Sequence, residues 1–103
     1  MVKVSVFYPN RQGARFDIAY YCNQHMPLVR RLTGAALKGA SVDHGIRGDA
    51  PGSPPPYVAL GHLLFESEEA FQNSFGPHLQ EIMADVPKYT NVEPQLQISE
   101  VKL

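Results

Sequence analysis

Hydrophobic and polar residues alternate along the first stretch of the chain, VKVSVFYP at residues 2–9. The valines and Tyr8 occupy every second position, whereas Lys3, Ser5 and Phe7 occupy the positions between them. A period of two places these two sets on opposite faces of a β-strand. The same alternation in QLQISEV, near the end of the chain, predicts another strand.

Two further segments are predicted to be strands. Residues 57–65, YVALGHLLF, are apolar at nearly every position, which is typical of a strand with both faces covered. The segment ALKGASVDHGIRGD predicts a strand more weakly, and its glycines suggest bulges or twist. The proline-rich stretch GDAPGSPPP predicts a connection without helix or strand.

The hydrophobic period changes to three and four residues between Phe16 and about Thr33, which predicts an amphipathic helix. Asp17 can cap its first turn, and Gly34 is a natural C-terminal stop. The predicted buried stripe consists of Ile18, Tyr21, Cys22, His25, Val29 and Leu32.

A second helix is predicted to begin after Ser67, which is a good capping residue. The acidic pair Glu68 and Glu69 follows, and negative charge favours the positive end of the helix dipole. Pro77 falls inside this helix. The predicted buried stripe consists of Phe71, Phe75, Leu79, Ile82 and Met83.

The predicted order is strand, helix, strand, strand, helix, strand. This α+β order indicates a ferredoxin-like βαββαβ plait, a four-stranded antiparallel sheet with two helices on one face. Strands one and three are central in such a sheet. The chain has 103 residues and no shift in composition, so we expect one domain over residues 1–103.

Two helices cover only one face of this sheet, so the other face lacks a partner within the chain. We predict that this second face carries Ser5, Phe7, Val58, Leu60, His62 and Leu64. A sheet that is apolar on both faces needs cover on both. We therefore expect a homodimer that packs through its sheet faces and encloses a small pocket, because the face is partly polar.

Charge and composition exclude several classes of function. The formal net charge is −1 at pH 7 and the basic residues are scattered, so we expect no nucleic-acid partner and no membrane partner. No apolar run approaches the roughly 20 residues that span a bilayer, and the N-terminus does not resemble a signal peptide. The single cysteine, Cys22, can form no internal disulfide. A cytoplasmic protein is expected.

His25 is the leading candidate for acid–base chemistry. It lies in the hydrophobic stripe one turn after Tyr21, and Pro27 follows two residues later. A proline inside a helix removes a backbone hydrogen bond, at a cost of about 3 kcal/mol. The freed carbonyl of Asn23 could fix the imidazole tautomer, so that His25 presents its other nitrogen to an open space. A buried histidine that only satisfies a kinked backbone is the alternative.

Other polar groups in apolar settings are weaker candidates. Tyr20 and Tyr21 point about 100° apart on a helix, so one of them could orient a substrate oxygen, whereas packing at the core margin is the alternative. His62 lies in the most apolar strand and needs a hydrogen-bond partner or a ligand. The four histidines match no metal-binding motif, so no metal is expected. Cys22 is predicted to be a small buried hydrophobe.

Three stretches resemble the ethyl tert-butyl ether degradation (EthD) family: FDIAYYCNQHMPLV, FESEEAFQNSFGPH and ADVPKYTNVEPQLQISEV. The resemblance spans nearly the whole chain and implies the plait, dimerised through its sheets into a dimeric α+β barrel. Family members accompany oxidative degradation systems and are often labelled oxidoreductases without a settled reaction. Gln24 stands where many relatives have a second histidine, so a paired-histidine mechanism does not carry over. The motif itself carries over to Tyr20, Tyr21, His25, Pro27 and Leu28.

These features predict a small oxidoreductase- or isomerase-type enzyme that acts on a compact hydrophobic or aromatic compound bearing an oxygen. His25 would transfer a proton while Tyr20 or Tyr21 orients that oxygen, and no bound cofactor is required. Two alternatives remain open: a non-catalytic carrier for a partner oxygenase, and a structural dimer with a dry interface. The predicted substrate contacts are Phe7, Leu60, His62, Phe75 and His78.

Overall fold

A four-stranded antiparallel sheet forms the centre of the molecule. The computed structural model describes the whole chain, Met1–Leu103. The strands are β1 (Val2–Pro9), β2 (Gly39–His44), β3 (Tyr57–Phe65) and β4 (Gln95–Glu100). Their order across the sheet is β2-β3-β1-β4, which confirms the predicted plait with the first and third strands at its centre.

The helical segment between β1 and β2, called α1, is irregular. Its consecutive parts are Ile18–Tyr20, a π-helical turn at Tyr21–His25, and the α-helix Met26–Thr33. The Asp17 carboxylate accepts a 3.0 Å hydrogen bond from the Tyr20 amide, which confirms the predicted cap. Gly34 ends the segment with a φ of 63°, a conformation that glycine adopts without steric cost.

The helical segment between β3 and β4, called α2, is also broken. Its parts are Glu68–Phe75, a 3-10 turn at Gly76–His78, Leu79–Asp85, and a 3-10 turn at Val86–Lys88. The Ser67 hydroxyl accepts a 3.0 Å hydrogen bond from the Ala70 amide, as predicted. The first 3-10 turn contains Pro77, which has no N–H to continue an α-helix. Every helix is too short or too polar to traverse a bilayer.

Two hydrophobic clusters lie between the sheet and the helices. The first is aliphatic and phenylalanine-rich: Val4, Val29, Leu37, Leu63, Phe65, Phe71, Phe75 and Ile82. The second contains three buried tyrosines: Tyr8, Tyr21, Ala59, Val86, Tyr89 and Val92. The core is therefore entirely apolar at one end and carries phenol hydroxyls at the other, a division that positions the site described below.

A bulge at the start of β3 changes which face two residues occupy. The register shifts between Tyr8 and Pro9, so that Pro9 pairs with Tyr57 and Val58 is left over. The Tyr57 ring lies 5.3 Å from that of Phe7, on the sheet face away from the helices. Val58 instead packs against the tyrosine-rich cluster. The prediction that Val58 lies on the second face of the sheet was therefore wrong, whereas Leu60, His62 and Leu64 lie on it as predicted.

The predicted buried stripes of the helices are correct in part. Cys22 is exposed, so its prediction as a buried hydrophobe was wrong. A π-turn contains one residue more than an α-turn and rotates its neighbours around the helix axis. In α2, Leu79 and Met83 are exposed although they belong to the predicted stripe, because the 3-10 turn at Gly76–His78 offsets the second half of the segment.

Candidate functional site

His25 ends the π-helical turn of α1 and points into the protein, where only 4% of its surface remains exposed. The amide of Met26 donates to the carbonyl of Tyr21, the wide spacing that defines the turn. Pro27 follows directly within the next α-helical part. The predicted helix irregularity beside His25 is confirmed, and π-turns are frequent at functional positions.

The partner that orients His25 comes from α2, not from the freed carbonyl of Asn23. Nδ1 of His25 lies 2.9 Å from Oδ2 of the buried Asp85. The other carboxylate oxygen of Asp85 accepts a 2.8 Å hydrogen bond from the Tyr20 hydroxyl, and Nζ of Lys88 lies 3.6 Å from it. The carboxylate thus has three partners on the two helical segments, which fixes the imidazole ring.

The protonation states of this pair follow from burial and contact. Burial lowers the pKa of His25, although the hydrogen bond and charge of Asp85 oppose the shift. Burial alone would raise the pKa of Asp85, but the hydrogen bonds from His25 and Tyr20 outweigh it, and the pKa is lowered. At neutral pH the carboxylate is therefore charged and the imidazole neutral. Its proton resides on Nδ1, which leaves a lone pair on Nε2.

A pair of buried tyrosines lies on the Nε2 side of His25. The Tyr89 hydroxyl is 3.4 Å from Nε2 and 2.7 Å from the Tyr8 hydroxyl. Burial raises the pKa of Tyr8 and of Tyr89, so both phenols keep their protons at neutral pH. The two hydroxyls are therefore hydrogen-bond donors beside an unprotonated nitrogen.

Tyr21 packs flat against His25, with ring centroids 5.4 Å apart and planes inclined by 15°. Its hydroxyl lies directly over Gly61 of β3, where any Cβ atom would overlap the oxygen. Burial raises the pKa of Tyr21 as well, so this hydroxyl is also protonated. A glycine at position 61 is thus what lets a phenol hydroxyl reach the sheet beside His25.

Tyr8, Tyr21 and His25 border a small cavity between the sheet and the helices, called the inner cavity, with a volume of about 30 Å³. Such a space holds about two water molecules. None of its lining residues is Lys, Arg, Asp or Glu. They are Val6, Tyr8, Tyr21, His25, Met26, Val29, Gly61, Leu63, Phe75, Ile82, Met83, Val86, Pro94 and Leu96. The site therefore combines an apolar wall with an imidazole and two phenols.

The predicted site residues fall into four places. His25, Tyr21 and Phe75 line the inner cavity, whereas Tyr20 contacts Asp85 from the outer side of the pair. His78 lies in the 3-10 turn of α2 and is not among the cavity residues.

Phe7, Leu60 and His62 lie on the opposite side of the sheet, on the face away from the helices, called the open face. His62 is held there by the Ser5 hydroxyl, 3.0 Å from Nδ1, and by Asp43, 3.5 Å from Nε2. The sheet itself separates these residues from His25. Within one subunit, Phe7, Leu60 and His62 therefore do not reach the cavity beside His25, although they were predicted to contact the same substrate.

Sequence reasoning missed Asp85, Tyr89, Tyr8 and Gly61. Asp85 had a signal, because it follows Ile82 by three residues and so continues the buried stripe of α2 with a charged side chain. Both Asp85 and Tyr89 belong to the stretch ADVPKYT, which carried the family resemblance. Nothing in the sequence except their positions in strands marked Tyr8 and Gly61 as site residues. Their role depends on which side chains of other elements pack against them.

No group of three or more His, Cys, Asp or Glu side chains is placed to hold a metal ion. His25 and Asp85 together supply two ligand atoms that are already used in bonding each other. The arrangement is chemically suited to proton transfer, because a neutral imidazole can accept a proton and an adjacent carboxylate can stabilise the charged form.

Comparison with known proteins places this geometry in context. The model of the EthD domain matches residues 13–93. The crystal structure of an EthD-like protein from Ralstonia eutropha JMP134 has a TM-score of 0.95 and 44% sequence identity, over 99% of this chain and 92% of the other. None of the curated proteins is similar enough to count as a match.

Two more distant structures share the fold. An EthD family protein from Bacillus halodurans C-125 is 21% identical, with a TM-score of 0.74 over 99% of both chains. A dimeric ferredoxin-like protein from Thermobifida fusca YX is 13% identical, with a TM-score of 0.57 over 97% of this chain and 90% of the other. At these identities the similarity concerns the fold alone.

Proposed function

This chain belongs to the EthD family, and we propose that it is a small acid–base enzyme for a compact, neutral, hydrophobic compound that carries a carbonyl or phenolic oxygen. One observation carries the proposal: the imidazole of His25 is tied to Asp85 through Nδ1, while its ring lines an apolar cavity. A histidine that only stabilised the fold would have no need of a cavity beside it.

In the proposed reaction Nε2 of His25 removes a proton from a carbon next to the substrate oxygen. The imidazolium that forms is stabilised by Asp85, and the Tyr21 hydroxyl orients the oxygen from its position over Gly61. A positioned histidine of this kind typically accelerates proton transfer 10²- to 10⁴-fold. This suits enolisation or double-bond isomerisation. It does not suffice to break an unactivated C–H bond of an ether.

The absence of charged side chains from the cavity wall supports a neutral substrate. An anion in the inner cavity would lose its hydration and find no Lys or Arg to replace it. The ionised carboxylate of Asp85 lies just behind His25 and would repel it further. A carbonyl or phenol, in contrast, finds two hydroxyl donors, from Tyr8 and Tyr21.

The size of the cavity indicates a small molecule, and two of its wall residues can adapt. Met26 and Met83 have flexible side chains, which fill irregular gaps and move at low cost. Met83 and Leu96 are 40% and 45% exposed, so the cavity reaches the surface between α2 and β4. A substrate would enter there and displace these side chains.

We also propose a homodimer that packs through the open face. Phe7, Leu60 and Leu64 form an apolar strip there, with the ring of Tyr57 against Phe7. No element of the chain covers this strip, and the ferredoxin-like protein from Thermobifida fusca, which shares the fold, is dimeric. In this arrangement Phe7, Leu60 and His62 belong to the subunit interface.

The exposed apolar rim at Met83 and Leu96 favours a second candidate function, that of a carrier. Such a surface could receive a hydrophobic intermediate from another enzyme, and the inner cavity could hold it without proton transfer. The carrier needs only the cavity, whereas the enzyme also needs the lone pair of His25.

The two functions are separated by measuring isomerisation of the β,γ-unsaturated ketone 3-cyclohexenone, whose conjugated product absorbs in the ultraviolet. We expect the wild-type protein to accelerate the reaction and His25→Ala to lose about 10²- to 10⁴-fold of the rate. His44→Ala is the matched control, because His44 is exposed on β2 and is not among the residues that line the cavity. A wild-type protein that binds the ketone without converting it would be a carrier.

A further inference from the structure

We propose that Tyr8 is the catalytic acid of this site and that Tyr89 connects it to His25. The proton that His25 takes from the substrate carbon then replaces, by way of Tyr89, the proton that Tyr8 gives to the substrate oxygen. The inference rests on the proposed acid–base function and adds two residues to which the sequence analysis assigned no chemistry. It makes the site self-contained, since one turnover needs no proton from solvent.

The geometry points to a bridge behind the cavity wall. His25 and Tyr8 both line the inner cavity, whereas Tyr89 does not. The Tyr89 hydroxyl lies between them, 3.4 Å from Nε2 of His25 and 2.7 Å from the Tyr8 hydroxyl. Its hydrogen-bond partners are these two groups. A proton can therefore pass from the base to the acid without entering the cavity or the solvent.

The proposed reaction begins from one of the two directions that the short contact between the tyrosines allows. In it the Tyr89 hydroxyl donates to Tyr8, which leaves the Tyr8 proton free for an oxygen in the cavity. The longer contact leaves the lone pair of Nε2 available to a substrate proton. Such contacts often tighten only when substrate is bound.

Four transfers complete the first half of the reaction. The α-C–H bond breaks and an N–H bond forms at Nε2 of His25, while the O–H bond of Tyr8 breaks and its proton binds the substrate oxygen. Tyr89 then gives its proton to the Tyr8 oxygen, and Nε2 gives its proton to the Tyr89 oxygen. The ketone has become a dienol and all three side chains are restored. The reverse sequence delivers a proton to the γ-carbon.

Asp85, which contacts the other nitrogen of His25, does not compete with the tyrosines for the proton. Nδ1 donates to Asp85, whose other oxygen accepts from Tyr20. Asp85 has a lowered pKa and stays ionised, so it stabilises the imidazolium without taking its proton. Nε2 of His25 thus loses its proton inside the protein through the two tyrosines.

The proposal is tested with Tyr8→Phe, Tyr89→Phe and the double variant, assayed with 3-cyclohexenone. Phenylalanine preserves the ring packing of Tyr89 against Tyr21 and Phe16, so a loss of rate reports on the hydroxyl. We expect each single variant to lose about a hundredfold in kcat, and the double variant to lose no more than either. Tyr57→Phe, on the open face, is the control that retains the wild-type rate.

A second readout follows the number of protons in motion. The rate of the wild-type protein is measured in mixtures of H₂O and D₂O and plotted against the deuterium fraction. The plot should be curved, because several protons move in the rate-limiting step. In Tyr89→Phe the dependence should become linear. Binding of cyclohexanone, followed by NMR, verifies that each variant keeps its cavity.

The outcomes separate this inference from the proposed function. If His25→Ala abolishes isomerisation while Tyr89→Phe keeps the wild-type rate and curvature, the enzyme stands and the tyrosine link is wrong. If the losses in kcat of Tyr8→Phe and Tyr89→Phe multiply in the double variant, the two residues act independently and the tyrosine link is wrong. If His25→Ala is as active as the wild-type protein, the proposed function itself fails.

Discussion

Nδ1 of His25 lies 2.9 Å from Oδ2 of Asp85, although the two residues are 60 positions apart and belong to different helical segments. The contact joins the π-turn of α1 to the end of α2. It determines which imidazole nitrogen carries the proton, and it leaves Nε2 as the unprotonated one.

Replacement of Asp85 by Asn should reduce isomerisation of 3-cyclohexenone by about 10²-fold or more, because the imidazolium loses its counter-charge. It should also lower the pKa of His25 further, since Asp85 is the group that opposes the effect of burial. NMR titration of the imidazole checks the shift. Tyr20→Phe, which removes one hydrogen bond and keeps the carboxylate, is the matched control and should have the smaller effect. An unchanged rate in Asp85→Asn would contradict the assigned role.

Acid should destabilise the protein in two steps. The pKa of His25 is lowered below its ordinary value of 6.5, so below pH 6.5 the unfolded chain binds more protons than the folded one. The pKa of Asp85 is lowered below 3.8, so a second loss begins as the pH falls towards that value. Stability therefore decreases as the pH falls in both ranges.

Urea unfolding at about pH 7 and pH 5 checks the first step. The wild-type midpoint should be lower at the acidic pH, and His25→Gln should show a smaller decrease. His44→Gln, at an exposed position, should retain the full wild-type decrease. An equal decrease in His25→Gln and in the wild-type protein would show that His25 is not responsible.

Gly61→Ala should destabilise the fold by about 1–3 kcal/mol, because the new methyl group overlaps the Tyr21 hydroxyl. The same change made in a Tyr21→Phe background should cost less, since the closest oxygen is gone. Urea unfolding of the four proteins forms a double-mutant cycle that isolates this interaction. Equal costs in the two backgrounds would mean that the overlap is relieved elsewhere.

The cavity should discriminate by charge between molecules of similar shape. We expect cyclohexanone to perturb the NMR signals of His25 and Met83, and cyclohexanecarboxylate at the same concentration to leave them unchanged. The physical reason is that the wall offers no cation to a buried carboxylate. Tighter binding of the carboxylate would exclude a neutral substrate.

Leu60→Lys should convert the proposed dimer into a monomer, because it places a charge in the apolar strip of the open face. Analytical ultracentrifugation measures the change. Ala40→Lys is the control, since Ala40 is exposed on the edge strand β2 and pairs with Leu63 on the helix-facing side. A wild-type protein that sediments as a monomer would refute pairing through this face.

The hydrophobic pattern determined the architecture of this protein. Alternation along β1 and apolar continuity along β3 predicted the two central strands, and the caps Asp17 and Ser67 predicted where the helices begin. These features are local, because strand and helix periods are set by which side chains share a face within a few residues. The irregular turn beside His25 was predictable for the same reason, since Pro27 acts on its own helix.

Only the tertiary structure decided the composition of the site. Asp85, Tyr89 and Tyr8 reach His25 from other elements, and whether their atoms meet within 3.5 Å depends on the relative placement of two helices and a sheet. The tertiary structure also showed that Leu60 and His62 lie across the sheet from His25, a separation that no spacing in the sequence reveals. Periodicity determines which face a residue occupies along its own element. Packing of the elements determines which of those faces meet.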